Sequence, residues 1–135
     1  MNHWLIKSEP TTYSIDDLKK DGQTYWDGIR NYQARNFMRD KMKKGDLALF
    51  YHSSAEPPGV AGICRVAKEA YPEKKEPEWV GVEVEFVKKF KRFVPLEELK
   101  ANKKLQGMLV LKRGMRLSVQ PVEKVHFEEV VHLGG

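Results

Sequence analysis

The chain has 135 residues, a length typical of one domain built around one hydrophobic core. Hydrophobic residues make up 41% of it and aromatic residues 10%, which excludes the composition of a disordered segment. Lysine and arginine exceed aspartate and glutamate by 24 to 19, and the resulting net charge of +5 favours an anionic partner.

Cys64 is the only cysteine, so no intrachain disulfide can form and a reducing compartment is expected. It lies in the apolar segment VAGICRVA, and we interpret it as a core residue rather than a nucleophile. The N-terminal sequence lacks the apolar region of a signal peptide, and no apolar stretch is long enough to span a bilayer. We therefore expect a cytoplasmic protein, nuclear in a cell that has a nucleus, with no membrane partner.

The chain begins with a predicted strand and a short helix. The segment His3–Ser8 has strand character and is ended by Pro10, because proline restricts its own backbone and that of the residue before it. Ser14 and Asp17 form a capping-box pattern that starts a helix, and Gly22 ends it.

A tight turn, Trp26-Asp27-Gly28, precedes a second predicted helix with Asn31 as its N-cap. Gly45-Asp46 is expected to end this helix, and LALFYH, residues 47 to 52, reads as a buried strand. The helix is indicated by apolar residues at helical spacing, namely Ala34, Phe37, Met38 and Met42.

The second half of the chain is predicted to be mainly strand. Val60–Ala67 is apolar on both faces, and Trp79–Phe90 alternates between apolar and polar residues. The connection EAYPEKKEPE joins these two strands and carries no predicted chemistry. A short helix at Pro95–Lys100, a strand at Arg116–Val122 broken by Pro121, and a terminal helix at Glu123–Leu133 follow.

Short strands with interspersed helices and no repeated βα unit predict an α+β fold with a small, largely antiparallel, barrel-like sheet. A single domain over residues 1–135 is expected, and a doubly wound nucleotide-binding fold is not.

The sequence offers no pattern for a metal, a cofactor or catalysis. No glycine-rich phosphate loop is present, and the Ser53-Ser54 pair lacks the flanking glycines of a nucleophile elbow. None of the four histidines has zinc-ligand spacing; they are His3, His52, His126 and His132. We therefore predict no metal, no cofactor and no enzymatic activity.

Four polar and aromatic blocks do stand out: LIKSEP, YWDGIRNYQAR, FYHS with PPGV, and RLSVQPV. Together they resemble the EVE domain family, within the PUA-like superfamily that includes the YTH domains. The resemblance extends over nearly the whole chain, from HWLIKSEP to VVHLGG. In one respect the chain differs, because the connection EAYPEKKEPE is shorter than the proline-rich insertion of similar sequences, and contacts from such an insertion are not expected here.

This resemblance implies a PUA-like fold, a small twisted β-barrel surrounded by short helices. It also implies a pocket for a modified base, such as a methylated or hydroxymethylated cytosine in DNA, flipped out of the base stack. Such a pocket needs a flat aromatic or apolar wall, polar groups for the Watson-Crick edge, and positive charge for the flanking phosphates.

Trp26 is the candidate wall. A tryptophan beside a turn is equally well explained as a core anchor, since tryptophans are largely buried, and the family resemblance favours the ligand role. Stacking of a base on an aromatic ring contributes roughly 1–3 kcal/mol, comparable with the few kcal/mol that unstacking costs.

Polar candidates lie at the end of the first strand and after the turn. Lys7, Ser8 and Glu9 could bind a base edge or simply satisfy the backbone at a strand end. Asn31 offers an amide donor and acceptor, but it also suits an N-cap. Tyr32 is either a second aromatic wall or a core residue.

Two further blocks are assigned to the pocket by the resemblance. His52 and Ser53 would lie on its rim, although satisfied loop residues are the more frequent case. In RLSVQPV, a structural strand end is the alternative to ligand contact. The candidates in that block are Leu117, Ser118, Gln120 and Pro121.

Positive charge is concentrated between residues 30 and 44, where six cations and one carboxylate give a net charge of +5, equal to that of the whole chain. A solvated helix face is the ordinary explanation, but this concentration favours phosphate contact and predicts binding that weakens steeply with salt. The predicted phosphate contacts are Arg30, Arg35, Arg39 and Lys43.

The sequence therefore predicts a non-enzymatic reader of a modified base, with DNA as the favoured partner. One alternative is an RNA-binding module of the PUA or YTH kind, which would read a base such as methylated adenine. The other is an enzyme or small-molecule binder that accepts a free nucleoside in the same pocket.

Overall fold

The computed structural model describes residues 1–135 and contains six strands and four α-helices. The strands are β1 His3–Ser8, β2 Gln23–Trp26, β3 Leu47–His52, β4 Gly59–Pro72, β5 Val80–Pro95 and β6 Val119–Val122. The helices are α1 Ile15–Asp21, α2 Tyr32–Asp40, α3 Leu96–Ala101 and α4 Lys124–Gly134. Two short 3-10 turns, Lys103–Leu105 and Leu109–Leu111, lie between α3 and β6.

All six strands form one sheet in the order β2-β5-β4-β3-β1-β6, and only the β1–β3 pair is parallel. Trp26 of one edge strand and Val119 of the other belong to the same buried cluster, so the sheet curls towards a barrel without closing. Helix α2 contacts β4, β5 and β6 and thereby links the two halves of the sheet. The predicted α+β class with a largely antiparallel, barrel-like sheet is confirmed.

The sheet has a hydrophobic core on each face. Along β1, Trp4 and Ile6 belong to one cluster and Leu5 to the other, as expected from the alternation of side chains in a strand. The predicted core role of Cys64 is confirmed, because its side chain is fully buried in the first cluster and burial raises the pKa of its thiol to about 12. Helices α3 and α4 cover the second cluster with residues such as Phe127.

The predicted helix starts are confirmed by their capping hydrogen bonds. Ser14 Oγ accepts from the Asp17 N–H at 3.2 Å, and Asp17 Oδ2 accepts from the Ser14 N–H at 2.8 Å. Gly22 caps the end of α1 with a φ of 79°, in the left-handed region that favours glycine. Asn31 Oδ1 accepts from the Ala34 N–H at 2.9 Å at the start of α2.

Helix α2 ends at Asp40, earlier than the predicted end at Gly45. The reason is a competing acceptor, since the Lys43 N–H donates to Asp46 Oδ2 at 3.0 Å rather than to a helical carbonyl. Asp46 is buried and also accepts from Trp4 Nε1 at 3.0 Å. Lys43 therefore does not continue the charged face of α2.

Four strands also differ from what the sequence predicts. β2 has no predicted counterpart, and β4 and β5 extend well beyond their predicted ends. β6 begins at Val119 rather than Arg116 and includes Pro121, which was expected to break it. Proline is tolerated there because β6 is an edge strand with one side free of ladder hydrogen bonds.

Candidate functional site

A pocket of about 400 Å³ opens between the C-terminal end of β1 and strand β2, which are not hydrogen-bonded neighbours in the sheet. It therefore lies at the seam where the barrel fails to close, and its volume falls in the range of small-molecule sites. The lining residues are Lys7, Ser8, Glu9, Thr12, Tyr13, Thr24, Tyr25, Trp26, Asp27 and Ile29.

Trp26 forms part of both the pocket wall and the core. Only 8% of its surface is exposed, and its ring makes edge-to-face contacts with Tyr13 at 6.0 Å and Phe50 at 5.5 Å. The anchor and wall interpretations of Trp26 are therefore compatible in one residue.

Tyr13 is a second aromatic ring in the pocket, and the sequence analysis did not identify it. Its hydroxyl donates to Asp21 Oδ2 at 2.8 Å, which fixes the ring against the end of α1. Burial, aided by that carboxylate, raises the pKa of Tyr13 to about 12, so its hydroxyl is neutral at physiological pH.

Some polar groups of the pocket are hydrogen-bonded within the protein, and others are not. Ser8 Oγ donates to the Tyr13 carbonyl at 2.6 Å, and Lys7 Nζ donates to the Met115 carbonyl at 3.1 Å. The carboxylates of Glu9 and Asp27 make no hydrogen bond or ion pair within the protein. They are consequently available to a ligand that carries hydrogen-bond donors.

The Asp27-Gly28 turn follows directly on the pocket wall. Gly28 has a φ of 78°, which agrees with the predicted sharp bend, and its N–H donates to Glu73 Oε2 at 3.1 Å. This contact ties the turn to the segment after β4. It explains how Asp27 and Ile29, on either side of Gly28, are held at the pocket.

Of the twelve predicted pocket residues, the structure brings four together in this pocket: Lys7, Ser8, Glu9 and Trp26. The other eight lie outside it, namely Asn31, Tyr32, His52, Ser53, Leu117, Ser118, Gln120 and Pro121.

Asn31 and Tyr32 are outside because the chain has already turned away at Gly28 and entered α2. Asn31 Oδ1 is occupied by the N-cap hydrogen bond that it accepts from the Ala34 N–H. The Tyr32 ring is 60% exposed and stacks on Trp79 at 4.8 Å, on a surface next to the pocket. The structure therefore places these two residues outside the lining of the pocket that contains Trp26.

His52 and Ser53 do not line the pocket but form hydrogen bonds to helix α1 and to the end of β1. His52 Nε2 accepts from the Ile15 N–H at 3.1 Å and so satisfies a free backbone donor at the start of α1. Burial lowers the pKa of this histidine, which agrees with a neutral, accepting imidazole. The Ser53 N–H donates to the Ser8 carbonyl at 2.9 Å, so this contact holds the end of β1.

The RLSVQPV block is divided between the two faces of the sheet. Leu117 is buried in the first core cluster, and the Ser118 carbonyl accepts a backbone hydrogen bond from β1. Gln120 pairs with Leu5 and, with Pro121, lines a separate cavity of about 300 Å³. Side-chain alternation along β6 therefore keeps Gln120 away from the first pocket.

Two of the arginines that were predicted to contact phosphate form ion pairs with carboxylates. Arg30 donates to both oxygens of Glu73, at 2.9 and 2.7 Å, and lies 3.1 Å from Glu76. Arg39 pairs with its neighbour Asp40 at 2.8 Å. The connection EAYPEKKEPE therefore has a role that its sequence did not indicate, since its glutamates neutralise Arg30.

The other two residues that were predicted to contact phosphate do not lie in one row of charge along α2. The Arg35 guanidinium donates to the Glu78 carbonyl at 3.1 Å and lies 4.8 Å from the centre of the Tyr32 ring. Lys43 lies beyond the end of α2, next to the buried carboxylate of Asp46. These four cations do not form one continuous helical face.

Two further features bear on the predicted partners. No cluster of three or more histidine, cysteine, aspartate or glutamate side chains has the arrangement of a metal site. None of the helices combines the length and apolar character that crossing a membrane requires.

Comparison with known proteins assigns the family. A sequence profile described as EVE domain matches residues 2–133. Thymocyte nuclear protein 1 of Homo sapiens is 42% identical over an alignment that covers 98% of this chain and 73% of the human protein. A protein from Agrobacterium tumefaciens has a TM-score of 0.93 with 41% identity, over 100% of this chain and 94% of that one.

A crystal structure of human thymocyte nuclear protein 1 in complex with DNA containing 5-methylcytosine has a TM-score of 0.89 and 40% identity. The match covers 99% of this chain and 98% of that one. The family profile, the relatives and the shared barrel agree along almost the whole sequence, and the chain belongs to the EVE domain family with a PUA-like fold.

Proposed function

We propose that this EVE domain is a non-enzymatic DNA reader that binds a modified cytosine, flipped out of the duplex, in the pocket between β1 and β2. The observation that carries the proposal is the combination in one pocket of three aromatic residues with two unpaired carboxylates: Tyr13, Tyr25 and Trp26 with Glu9 and Asp27.

The pocket chemistry suits a cytosine. Aromatic rings stabilise a flipped base by stacking, which contributes roughly 1–3 kcal/mol. Aspartate and glutamate accept hydrogen bonds from the N4 amino group of cytosine. Ile29 offers apolar contact for a group on C5. Two carboxylates would repel a phosphate, so the base and not the backbone is the part of the strand that suits this pocket.

The human relative supports the same ligand class, because it has been crystallised with DNA containing 5-methylcytosine and matches this chain almost end to end. The relatives are called thymocyte nuclear proteins. We infer that the domain works where the cell holds its DNA, in the nucleus of a eukaryote and in the cytoplasm of a cell without one.

A binding role is also supported by the lack of an activated nucleophile in the pocket. The Ser8 hydroxyl donates to a backbone carbonyl, and no histidine lines the pocket. Cys64 is fully buried, and its raised pKa keeps the thiol protonated. His52 uses its free nitrogen to cap α1.

The direct test is a fluorescence anisotropy titration with matched oligonucleotides that carry one cytosine, 5-methylcytosine, 5-hydroxymethylcytosine or N6-methyladenine, as DNA and as RNA. We expect tighter binding to DNA with a modified cytosine than to unmodified DNA. Preference for the RNA series would favour the RNA-reading alternative, and product formation from free nucleosides would favour an enzyme. Equal, weak affinity for every oligonucleotide would contradict the proposal.

A substitution in the pocket separates base contact from general charge effects. Asp27→Ala should reduce the affinity for a duplex with a modified cytosine by about tenfold, since a hydrogen-bonded base contact is worth roughly 1–3 kcal/mol. Glu128→Ala, on the exposed surface of α4, removes the same charge away from the pocket and serves as the control. If both variants change the affinity for this duplex by the same factor, Asp27 does not contact the base.

A further inference from the structure

We propose that the phosphate backbone of the bound strand lies in a second, basic cavity that shares Lys7 with the base pocket. This inference rests on the proposed function and specifies how the same strand is held. The cavity has a volume of about 580 Å³ and lies between the end of α3, the second 3-10 turn and the loop that leads to β6. Its cationic lining residues are Lys7, Lys100, Lys112, Arg113 and Arg116, and no carboxylate lines it.

Four of the five cations of this cavity are unpaired. Lys100, Lys112, Arg113 and Arg116 are exposed, and their side chains make no ion pair or hydrogen bond within the protein. By contrast, Arg30 is held in ion pairs by Glu73 and Glu76. Unpaired cations around one concave surface create a positive potential that a polyanion neutralises.

The sequence around this cavity is also strongly basic. From residue 100 to residue 122 the chain contains six lysines and arginines and not one aspartate or glutamate. Its net charge of +6 exceeds the +5 of the segment from residue 30 to residue 44, and no carboxylate in the segment itself can cancel it.

Lys7 provides the connection between base and backbone. It lines both cavities, and its ammonium group donates to the carbonyl of Met115, which also lines the basic cavity. The Lys7 N–H donates to the Ser118 carbonyl at 2.9 Å, so β1 and the basic loop are joined at this residue. A nucleotide with its base against Trp26 would therefore have its phosphates on the Lys7 side, away from Glu9 and Asp27.

The test compares the salt dependence of DNA binding in two triple variants with the same change in charge. One carries Lys112→Gln, Arg113→Gln and Arg116→Gln. The control carries Lys74→Gln, Lys75→Gln and Lys124→Gln at exposed positions outside both cavities. Affinity for duplexes with and without 5-methylcytosine is measured between about 50 and 200 mM salt, the range over which phosphate contacts have large effects.

In the basic-cavity variant we expect the slope of log affinity against log salt to decrease by roughly two to three, since each lost phosphate contact removes about 0.9. Both duplexes should be weakened by the same factor, so that the preference for 5-methylcytosine is retained. The control should keep the wild-type slope. An unchanged slope in the basic-cavity variant, or an equal decrease in the control, would overturn the inference.

Additional arms keep the result interpretable. A charge-retaining variant, Arg113→Lys with Arg116→Lys, should keep most of the slope if charge is the cause, and thermal melting checks that each variant is folded. Loss of slope only in Arg35→Gln with Arg39→Gln would assign the phosphates to α2 and overturn the inference. If the slope decreases as expected but no protein prefers 5-methylcytosine, the base-reading proposal fails while the basic cavity stands.

Discussion

At the residue scale, Trp26 is both a buried core residue and part of the pocket wall. From the sequence, a core anchor and a ligand wall were equally reasonable, because both put an indole ring beside a turn. The ring is almost fully buried against Phe50 and Tyr13 and still borders the pocket. We therefore expect its removal to lower stability as well as the binding proposed for this pocket. A Trp→Ala change in a core costs about 3–5 kcal/mol, a large part of the 5–15 kcal/mol that stabilises a domain.

Trp26→Phe is the more informative substitution, because it keeps an aromatic face while reducing its area. We expect the free energy of unfolding to fall by about 1–3 kcal/mol and the affinity for a 5-methylcytosine duplex to fall by about tenfold. Urea unfolding and duplex titration measure the two effects. Trp79→Phe is the matched control, since Trp79 is as buried as Trp26 but lies outside the pocket, and it should lower stability alone. Equal losses of affinity in both variants would contradict a wall role for Trp26.

His52 gives a prediction for the pH dependence of stability. Burial lowers its pKa in the folded protein below the usual value of 6.5, so the unfolded chain binds a proton more readily than the folded one. The contribution of His52 is complete above pH 6.5 and is lost as the pH falls from 6.5 to the folded-state pKa. His3 has a pKa lowered in the same direction, mainly by burial, so wild-type data alone do not isolate His52.

His52→Gln separates the two histidines, because a glutamine oxygen can accept the Ile15 N–H without titrating. Between pH 7.5 and pH 5, urea unfolding should show a smaller loss of stability in this variant than in the wild type. If both proteins lose the same free energy over this range, the imidazole of His52 is not the group responsible.

At the element scale, the sequence indicates features that depend on neighbouring residues, such as helix caps. It does not indicate features that depend on pairing between distant segments. The capping box at Ser14 and the N-cap at Asn31 depend on neighbours three residues away, so the sequence contained them. Strand β2 has four residues, too few for a clear alternation, and it exists because it pairs with β5 about sixty residues later. Tyr13 and Asp27 were missed as pocket residues for the same reason, since the pocket forms only when β1 and β2 meet across the seam.

The close pairing of β2 and β5 can be tested at Gly81. A Cβ atom at this position would lie 2.7 Å from the Tyr25 ring, so Gly81→Ala should push β2 and the adjoining Trp26 out of place. We expect destabilisation by about 1–3 kcal/mol, as for other overpacked sites, and weaker binding of modified DNA by the folded protein.

Gly45→Ala is a suitable comparison for Gly81→Ala. Gly45 has a φ of 95° and no atom within 4 Å of an added Cβ, so this variant tests backbone strain at a site remote from the pocket. It should lose stability and keep its affinity in the same melting and titration experiments. Wild-type affinity in folded Gly81→Ala would contradict the dependence of the pocket on the β2–β5 contact.

At the scale of the whole molecule, the distribution of charge depends on tertiary pairing. The sequence pointed to residues 30 to 44, but Arg30 is neutralised by Glu73, which lies 43 residues away. In the segment from residue 100 to residue 122, the cations of the basic cavity stay unpaired because the fold brings no carboxylate to that cavity. A sequence window counts charges, whereas pairing across the fold decides which of them can attract an anion.

The same comparison explains which parts of the site were predictable. Family motifs led to Trp26 and to the end of β1, where a short block of sequence coincides with one wall of the pocket. The same motifs did not indicate which residues of β6 lie on each face of the sheet. Gln120 pairs with Leu5, and this register directs it away from Trp26. Local sequence patterns were enough to predict the fold class. Which residues line the pocket depends on how the sheet curls, and local patterns do not contain that information.

The central claim is that a modified cytosine leaves the duplex and enters the pocket beside Trp26. The most direct measurement is an NMR experiment on a duplex whose single 5-methylcytosine carries a ¹³C-labelled methyl group, bound to saturation. We predict that the methyl signal moves upfield, because of the nearby aromatic rings, and shows through-space contacts to Trp26 and Ile29. A methyl signal that keeps its position and its contacts to neighbouring bases in the saturated complex would contradict the account.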